Sequence, residues 1–469
     1  MSKQTAIGNE AIYDARKSLG GGSVAILGLQ HLFAMFGATV LVPLLTGLPV
    51  STTLLFAGLG TLLFHVITGM KVPAFLGSSF AFLAGYFAIA PNGEAELLPY
   101  ACFGVALAGL VYLILAGLFR IFGASKVMRY FPPIVTGPII IAIGINLAPS
   151  AINNCSTNWL IALVAIAIVI ICNIWGRGMI KIIPILCGVI GSYAVAAMIP
   201  GAIDWTLVKE AAWIGLPIQW NRTVFGLFAG GNVDTSLLIT AVITIMPISF
   251  ATMMEHIGDV SAISSTVGKN FIADPGLNKT LTGDGLATTI ASLFGAPANT
   301  TYGENTGVLT LTKVYDPFVI RLAAVFAVIL SFCPKFAAVI EVMPAATVGG
   351  ISLVLYGMIS AVGVRNIVET KVDFTKSRNV LIAALILVLS IGINYSSVGA
   401  IAIPAGSVTI SLSGLAVGSL VGILLNAFLP GKDYNFVDGT SNPTGVDLQI
   451  SQGENLGEIS KKSKQGKKQ

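Results

Sequence analysis

The sequence predicts an all-α membrane protein of fourteen spans, arranged as a seven-plus-seven inverted repeat. Three observations support this. Apolar residues make up 55% of the chain and charged residues only 10%, with 52 glycines. Apolar runs near the roughly 20 residues that cross a bilayer recur along the chain. With the N-terminus in the cytoplasm and the sides alternating, 23 of the 26 Lys and Arg fall on the cytoplasmic side.

A soluble domain carries about 25% charged residues. The far lower share here leaves too little polar surface to coat a globule, and the glycine excess suits closely packed membrane helices. The formal net charge of +5 is spread along the chain and points to no nucleic-acid partner. The exception is the tail Lys461, Lys462, Lys464, Lys467 and Lys468, which reads as a membrane anchor or solvated disorder. The cysteines Cys102, Cys155, Cys172, Cys187 and Cys333 show no CxxC spacing and read as small buried hydrophobes. No metal or cofactor is expected.

The spans fall at about 24–47, 50–69, 73–90, 98–122, 131–150, 157–175, 179–200, 235–258, 283–296, 299–313, 317–340, 343–362, 378–396 and 405–429. Three of them (73–90, 283–296 and 299–313) are short or interrupted by Gly, Ser, Thr and Asn. Lys209, Arg222 and Lys335 are the only basic residues placed outside. The exterior loop 201–234 carries Trp205, Trp213 and Trp220, which read as an interfacial belt on a helix lying along the membrane.

Seven spans after seven, starting on opposite sides, define an inverted repeat. Pro73 and Pro297, Phe80 and Glu304, and His31 and Glu255 all stand 224 residues apart. The third span of each half is the broken one. Broken spans at matching positions mark a substrate site, because an unwound segment frees backbone groups that lipid cannot satisfy.

Ionisable residues inside spans are costly. Here they are His31 in span 1, Glu255, His256 and Asp259 near the end of span 8, and Glu304 in span 10. Glu255 and Asp259 are i, i+4 and share a face, while His256 points about 100° away. Glu255 and Glu304 read as ligand carboxylates, although either could tie helices together. Asp259 reads equally as functional or as a solvated helix-end residue. His31 stands opposite Glu255 in the repeat. His256 and His65 read as structural, and Asp284 as the cap of the helix after it. Tyr302 and Tyr356 read equally as packing aromatics or as substrate contacts. Ser79 is a hydroxyl within the first break.

Two carboxylates and two backbone amides suit a planar ring with two N–H donors and two carbonyls, as in uracil. The carboxylates accept from the N–H groups. The amides near Phe80 and Gly303 donate to the carbonyls, and Phe80 and Tyr302 pack on the ring. Two acids serve an anion poorly. They also cannot both stay charged cheaply, so one can carry a proton. No H-E-x-x-H, G-x-S-x-G or Walker loop is present, so no enzyme is indicated.

At these residues the chain resembles the nucleobase–cation symporters, also called nucleobase–ascorbate transporters, and is most similar to their uracil-permease branch. The resemblance rests on Gln30 to Thr39, Gly77 to Phe82, Glu255 to Gly258, and Asn299 to Lys313, and covers about residues 20–430. The last segment fits the family signature through Glu304, Asn305, Gly307, Thr312 and Lys313.

The resemblance implies proton-coupled uptake of a nucleobase, uracil first, with xanthine or urate as the alternative and anion exchange as a remoter one. It implies a core domain (residues 23–122 and 235–340) and a gate domain (123–234 and 341–430) between cytoplasmic tails 1–22 and 431–469. It also implies short antiparallel strands in spans 3 and 10, and a homodimer in the plasma membrane. Glu255, Glu304 and the backbone at Phe80 and Gly303 become substrate ligands, and Glu rather than Gln at 304 fits the pyrimidine branch. Some uracil members carry His where this chain has Asp259. Proton coupling is therefore expected from Glu255 with Asp259 or His31.

Overall fold

In hydrocarbon an unpaired peptide group costs several kcal/mol, so long apolar runs must close their hydrogen bonds internally and fold as helices. The computed structural model of the protein describes residues 11–231, 233–405, 408–432 and 434, and the basic tail lies outside them. The first half contains α1 (Gly21–Thr46), α2 (Val50–Ile67), β1 (Leu76–Ser78), α3 (Leu83–Ile89), α4 (Leu98–Phe122), α5 (Pro133–Ser156), α6 (Trp159–Ile174) and α7 (Pro184–Ala197). The second contains α8 (Thr235–Ile245), α9 (Ile248–Val267), α10 (Leu277–Leu293), β2 (Asn299–Thr301), α11 (Glu304–Thr312), α12 (Pro317–Ser331), α13 (Pro334–Glu341), α14 (Ala345–Glu369) and α15 (Ser377–Tyr395). The hairpin β3 (Ala400–Ala405) and β4 (Val408–Ser413) then leads into α16 (Gly414–Phe428).

Among the described residues, seven helical runs are long and apolar enough to cross a membrane, or eight with the bent pair α12–α13 counted as one. The chain is a mostly helical, multi-pass membrane protein.

Small residues set the closest helix contacts. A Cβ on Gly109 of α4 would stand 2.8 Å from the Gly285 carbonyl of α10, and one on Gly285 would stand 2.7 Å from the Gly109 carbonyl. The two backbones therefore touch, as small-residue faces allow. Helices α5 and α14 pair in the same way through Gly137 and Gly363. Buried carbonyls and hydroxyls at such contacts close on each other, as when Ser360 Oγ donates to the Ile141 carbonyl at 3.0 Å.

Several boundaries differ from the sequence reading. Span 14 does not begin at 405, because residues 400–405 and 408–413 pair as antiparallel strands before the helix starts at Gly414. Span 8 does not end at 258. Pro247 separates α8 from α9, and α9 continues to Val267 through a Ser-rich stretch that hydropathy scores as too polar. Span 11 turns by 87° between α12 and α13. Trp205, Trp213 and Trp220 are exposed but sit in a loop with only short helical turns (Thr206–Glu210, Trp220–Arg222, Val224–Ala229), not on one long surface helix.

Candidate functional site

Around residues 73–82 and 295–303 the Pro, Gly, Ser, Thr and Asn content disfavours helix, and the chain is extended instead. The two segments pair as antiparallel strands, with Leu76 opposite Thr301, Gly77 opposite Thr300 and Ser78 opposite Asn299. The strands expected in the two broken spans are thus present. Two further bonds flank the ladder, Tyr302 N–H to the Phe75 carbonyl at 2.9 Å and Ser79 N–H to the Ala298 carbonyl at 2.9 Å. A Cβ at Gly77 would lie 2.6 Å from the Tyr302 ring and 2.8 Å from Thr39 Oγ1, so only glycine passes there. The Tyr302 hydroxyl donates to the Ser78 carbonyl at 2.8 Å, and Ser78 Oγ donates to the Thr39 carbonyl at 2.7 Å.

The pairing stops one residue later on each strand. Among the described residues neither the Phe80 nor the Gly303 amide N–H has a hydrogen-bond partner, and neither has the buried Ser79 hydroxyl. Gly303 is the N-cap of α11, so the positive end of that helix adds to its amide.

These groups line a cavity of about 710 Å³. One wall is Ser78, Ser79 and Phe80, and a second is Tyr302 and Gly303. Glu255, Gly258 and Asp259 on α9 form a third. Both carboxylates are half-buried on the cavity face of α9, as their i, i+4 spacing requires. The cavity extends past Met358 to Arg365 and Asn366 on α14 and to Thr370 at its C-terminal cap. A second cavity of about 720 Å³, between α1, α7, α12 and α13, is lined by residues such as Leu29, Phe33, Leu186 and Ile329 and offers no charged group.

The other expected residues fall as follows. Phe80 is half-buried on the wall, and the fully buried Tyr356 ring stands edge-on behind it, 6.2 Å between centroids. Glu304 begins α11, and its side chain lies outside the described residues. Buried His31 meets Asn305, the residue after Glu304. The Asn305 amide nitrogen is 3.2 Å from His31 Nδ1 and donates to the His31 carbonyl at 3.1 Å. His65, read as structural, is fully buried on α2, with Nε2 2.9 Å from the Ala74 carbonyl.

Asp284 is not a helix cap. It sits in the body of α10, fully buried, and Oδ1 accepts from the Thr301 N–H at 3.0 Å. His256 Nδ1 lies 3.3 Å from Asp284 Oδ2 and 3.1 Å from Thr301 Oγ1. The Thr301 hydroxyl in turn donates to Asp259 Oδ2 at 3.1 Å. The sequence reading missed this cluster because it began span 9 at Gly283. The stretch Asp274–Pro275–Gly276 marks the true start of the helix, and a start there puts Asp284 inside the membrane run.

Among the described residues no three His, Cys, Asp or Glu side chains gather as a metal site. The arrangement offers two amides and a hydroxyl that have no partner among the described residues, with carboxylates, around one cavity. Such groups can bind a small polar ring and hold a proton.

Residues 22–399 match the model of the Permease family, Xan_ur_permease. The uracil permease of Bacillus caldolyticus is 40% identical over 90% of this chain and 96% of its own length. The uracil permease of Escherichia coli (strain K12) is 36% identical over 85% of this chain and 90% of its own. Among solved structures, the transmembrane domain of the cyanobacterial bicarbonate transporter BicA superposes with a TM-score of 0.53 at 13% identity, over 89% of this chain and 99% of that one. That likeness is one of fold. The match to the family model and the identity to its curated members show that the chain belongs to the Permease family, among the nucleobase–ascorbate transporters.

Proposed function

We propose that the protein is a secondary transporter that takes up uracil together with a proton. The observation that carries this reading is the pair of amides at Phe80 and Gly303 that have no partner among the described residues, set beside Glu255 at one cavity. Uracil matches them group for group. Its two carbonyls accept from the two amides, and its ring N–H groups donate to Glu255 and Glu304. Hydrogen bonds to charged groups contribute about 1.5–3 kcal/mol each. Ser79 Oγ lies within the same wall as a further donor. Phe80 covers the ring, Tyr356 backs Phe80, and Tyr302 braces the two strands. The relatives named uracil permease support the same substrate.

The proton is held by the carboxylates on α9, Glu255 as ligand and Asp259 as its relay. The chain crosses the plasma membrane fourteen times with both termini in the cytoplasm. Its halves form an inverted repeat, with strands β1 and β2 at equivalent places and their pairing centred on Gly77 and Thr300. Residues 23–122 and 235–340 form the core that carries the site. Residues 123–234 and 341–430 form the gate, through which two copies associate. The core moves against the gate to expose the site on alternate sides. Uptake of labelled uracil, xanthine and urate into proteoliposomes tests the substrate. Uptake of uracil with exclusion of the purines supports the reading, and purine uptake without uracil overturns it.

A further inference from the structure

One hydroxyl stands between the buried His256 and Asp284 side chains and the cavity. Thr301 ends β2, two residues before Gly303, and is almost completely buried. Its backbone N–H donates to Asp284 Oδ1 at 3.0 Å. Its hydroxyl has a single hydrogen and gives it to Asp259 Oδ2 at 3.1 Å. The 3.1 Å contact from His256 Nδ1 must then run from the imidazole N–H to a lone pair on Thr301 Oγ1, which assigns the Nδ1–H tautomer from the network. The same N–H lies 3.3 Å from Asp284 Oδ2. His256 and Asp284 are fully buried. Two elements, α9 and α10, therefore converge on one threonine of β2. Its backbone and its hydroxyl are both held from behind, and its one donor points forward at the carboxylate facing the cavity.

We propose that Thr301 is a positioning residue for proton coupling. The buried Asp284–His256 pair fixes Thr301, and Thr301 orients Asp259. The inference rests on the reading above that Asp259 relays the proton. It adds a physical link between the two ligands. A base that binds the Gly303 amide pulls on the end of β2, and the Thr301 hydroxyl passes the displacement to Asp259 through a single hydrogen bond. A base and a proton that share such a link have a coupling free energy, reciprocal by linkage. The titratable and charged groups around Asp259 are Glu255 and His256 on α9, Asp284 on α10, and Tyr112 on α4, whose hydroxyl bonds Thr252. Among the described residues, Tyr302 on the β2 side, and Arg365 and Tyr434 across the cavity, line the same space, and the backbone of Glu304 opens α11 beside it.

The test compares Thr301→Val, Thr301→Ala, Thr301→Ser and Asp259→Asn in the purified full chain in proteoliposomes. Thermal melting is checked first. Uracil binding, counterflow exchange and gradient-driven accumulation are then measured across external pH. Valine and alanine remove the hydroxyl and serine restores it, so two non-donating variants guard against one that does not fold. The expected result is that Thr301→Val and Thr301→Ala exchange uracil but accumulate it several-fold less. Their uptake profile shifts to higher pH by about half a unit to one unit, the size of one lost hydrogen bond. Thr301→Ser keeps the parent profile. Unchanged accumulation and pH profile in folded Thr301→Val or Thr301→Ala overturn the proposal, as does a loss in Thr301→Ser equal to theirs. The Asp259→Asn arm separates the two claims. If Asp259→Asn accumulates uracil normally, the coupling reading itself falls. If Asp259→Asn fails while the hydroxyl-free variants do not, only the role of Thr301 falls.

Discussion

His31 and Asn305 are locked together across 274 residues of chain, with the Asn305 amide nitrogen 3.2 Å from the His31 ring and 3.1 Å from its carbonyl. The contact ties the middle of α1 to the first turn of α11, where Glu304 and the Gly303 amide stand. His31→Asn is expected to weaken uracil binding by roughly five- to tenfold, the size of one or two neutral hydrogen bonds. Equilibrium binding to the purified variant checks this, and an unchanged dissociation constant contradicts it.

Glu304→Gln replaces an acceptor-only carboxylate with an amide. Uracil uptake should fall steeply, since losing one partner of a buried charged hydrogen bond costs about 2–5 kcal/mol. Binding of xanthine, which meets an amide differently, is expected to rise. Competition of unlabelled bases against labelled uracil reads both. Wild-type uracil affinity in Glu304→Gln removes Glu304 from the ligand set.

Asp259→Asn cannot take a proton but keeps the shape of the side chain. The variant should bind uracil and exchange internal for external base, because exchange needs no net proton movement. Accumulation driven by a pH gradient should fall. All three are measured on one preparation, and undiminished accumulation leaves Glu255 and His31 as the coupling pair.

Asn92, Asn153, Ser397, Arg177 and Arg365 are all exposed. Single cysteines at the first three should react with an impermeant maleimide from outside the cell. Those at 177 and 365 should react only after the membrane is opened. Exterior labelling at 177 breaks the fourteen-span arrangement, because the basic residues around that loop set the count.

The broken spans were legible because Gly77, Ser78, Ser79 and Asn299 to Gly303 interrupt apolar runs at matching places, and lipid forbids such breaks unless the backbone is paired. The shared face of Glu255 and Asp259 followed from helix periodicity alone. Contacts between distant elements were not legible, which is why Asp284 read as a cap and Thr301 went unnoticed. Hydropathy ended span 8 at Gly258 because it scores Ser261, Ser264 and Ser265 as breaks. In the structure Ser261 and Ser264 satisfy themselves by donating to the Ile257 and Val260 carbonyls at 2.8 and 2.7 Å, and the helix runs on. The hairpin before α16 was hidden by its apolar residues, since Ile401, Ile403 and Val408 suit a strand and a span equally well.

The central claim is that uracil and a proton cross together. Proteoliposomes containing the purified protein and a lumenal pH indicator, with equal pH on both sides, are given external uracil. The account predicts that uracil enters and the lumen acidifies with it, and that Glu255→Gln abolishes both signals. Uracil entry with no change in lumenal pH would contradict it, as would an ionic current that flows when no base is present.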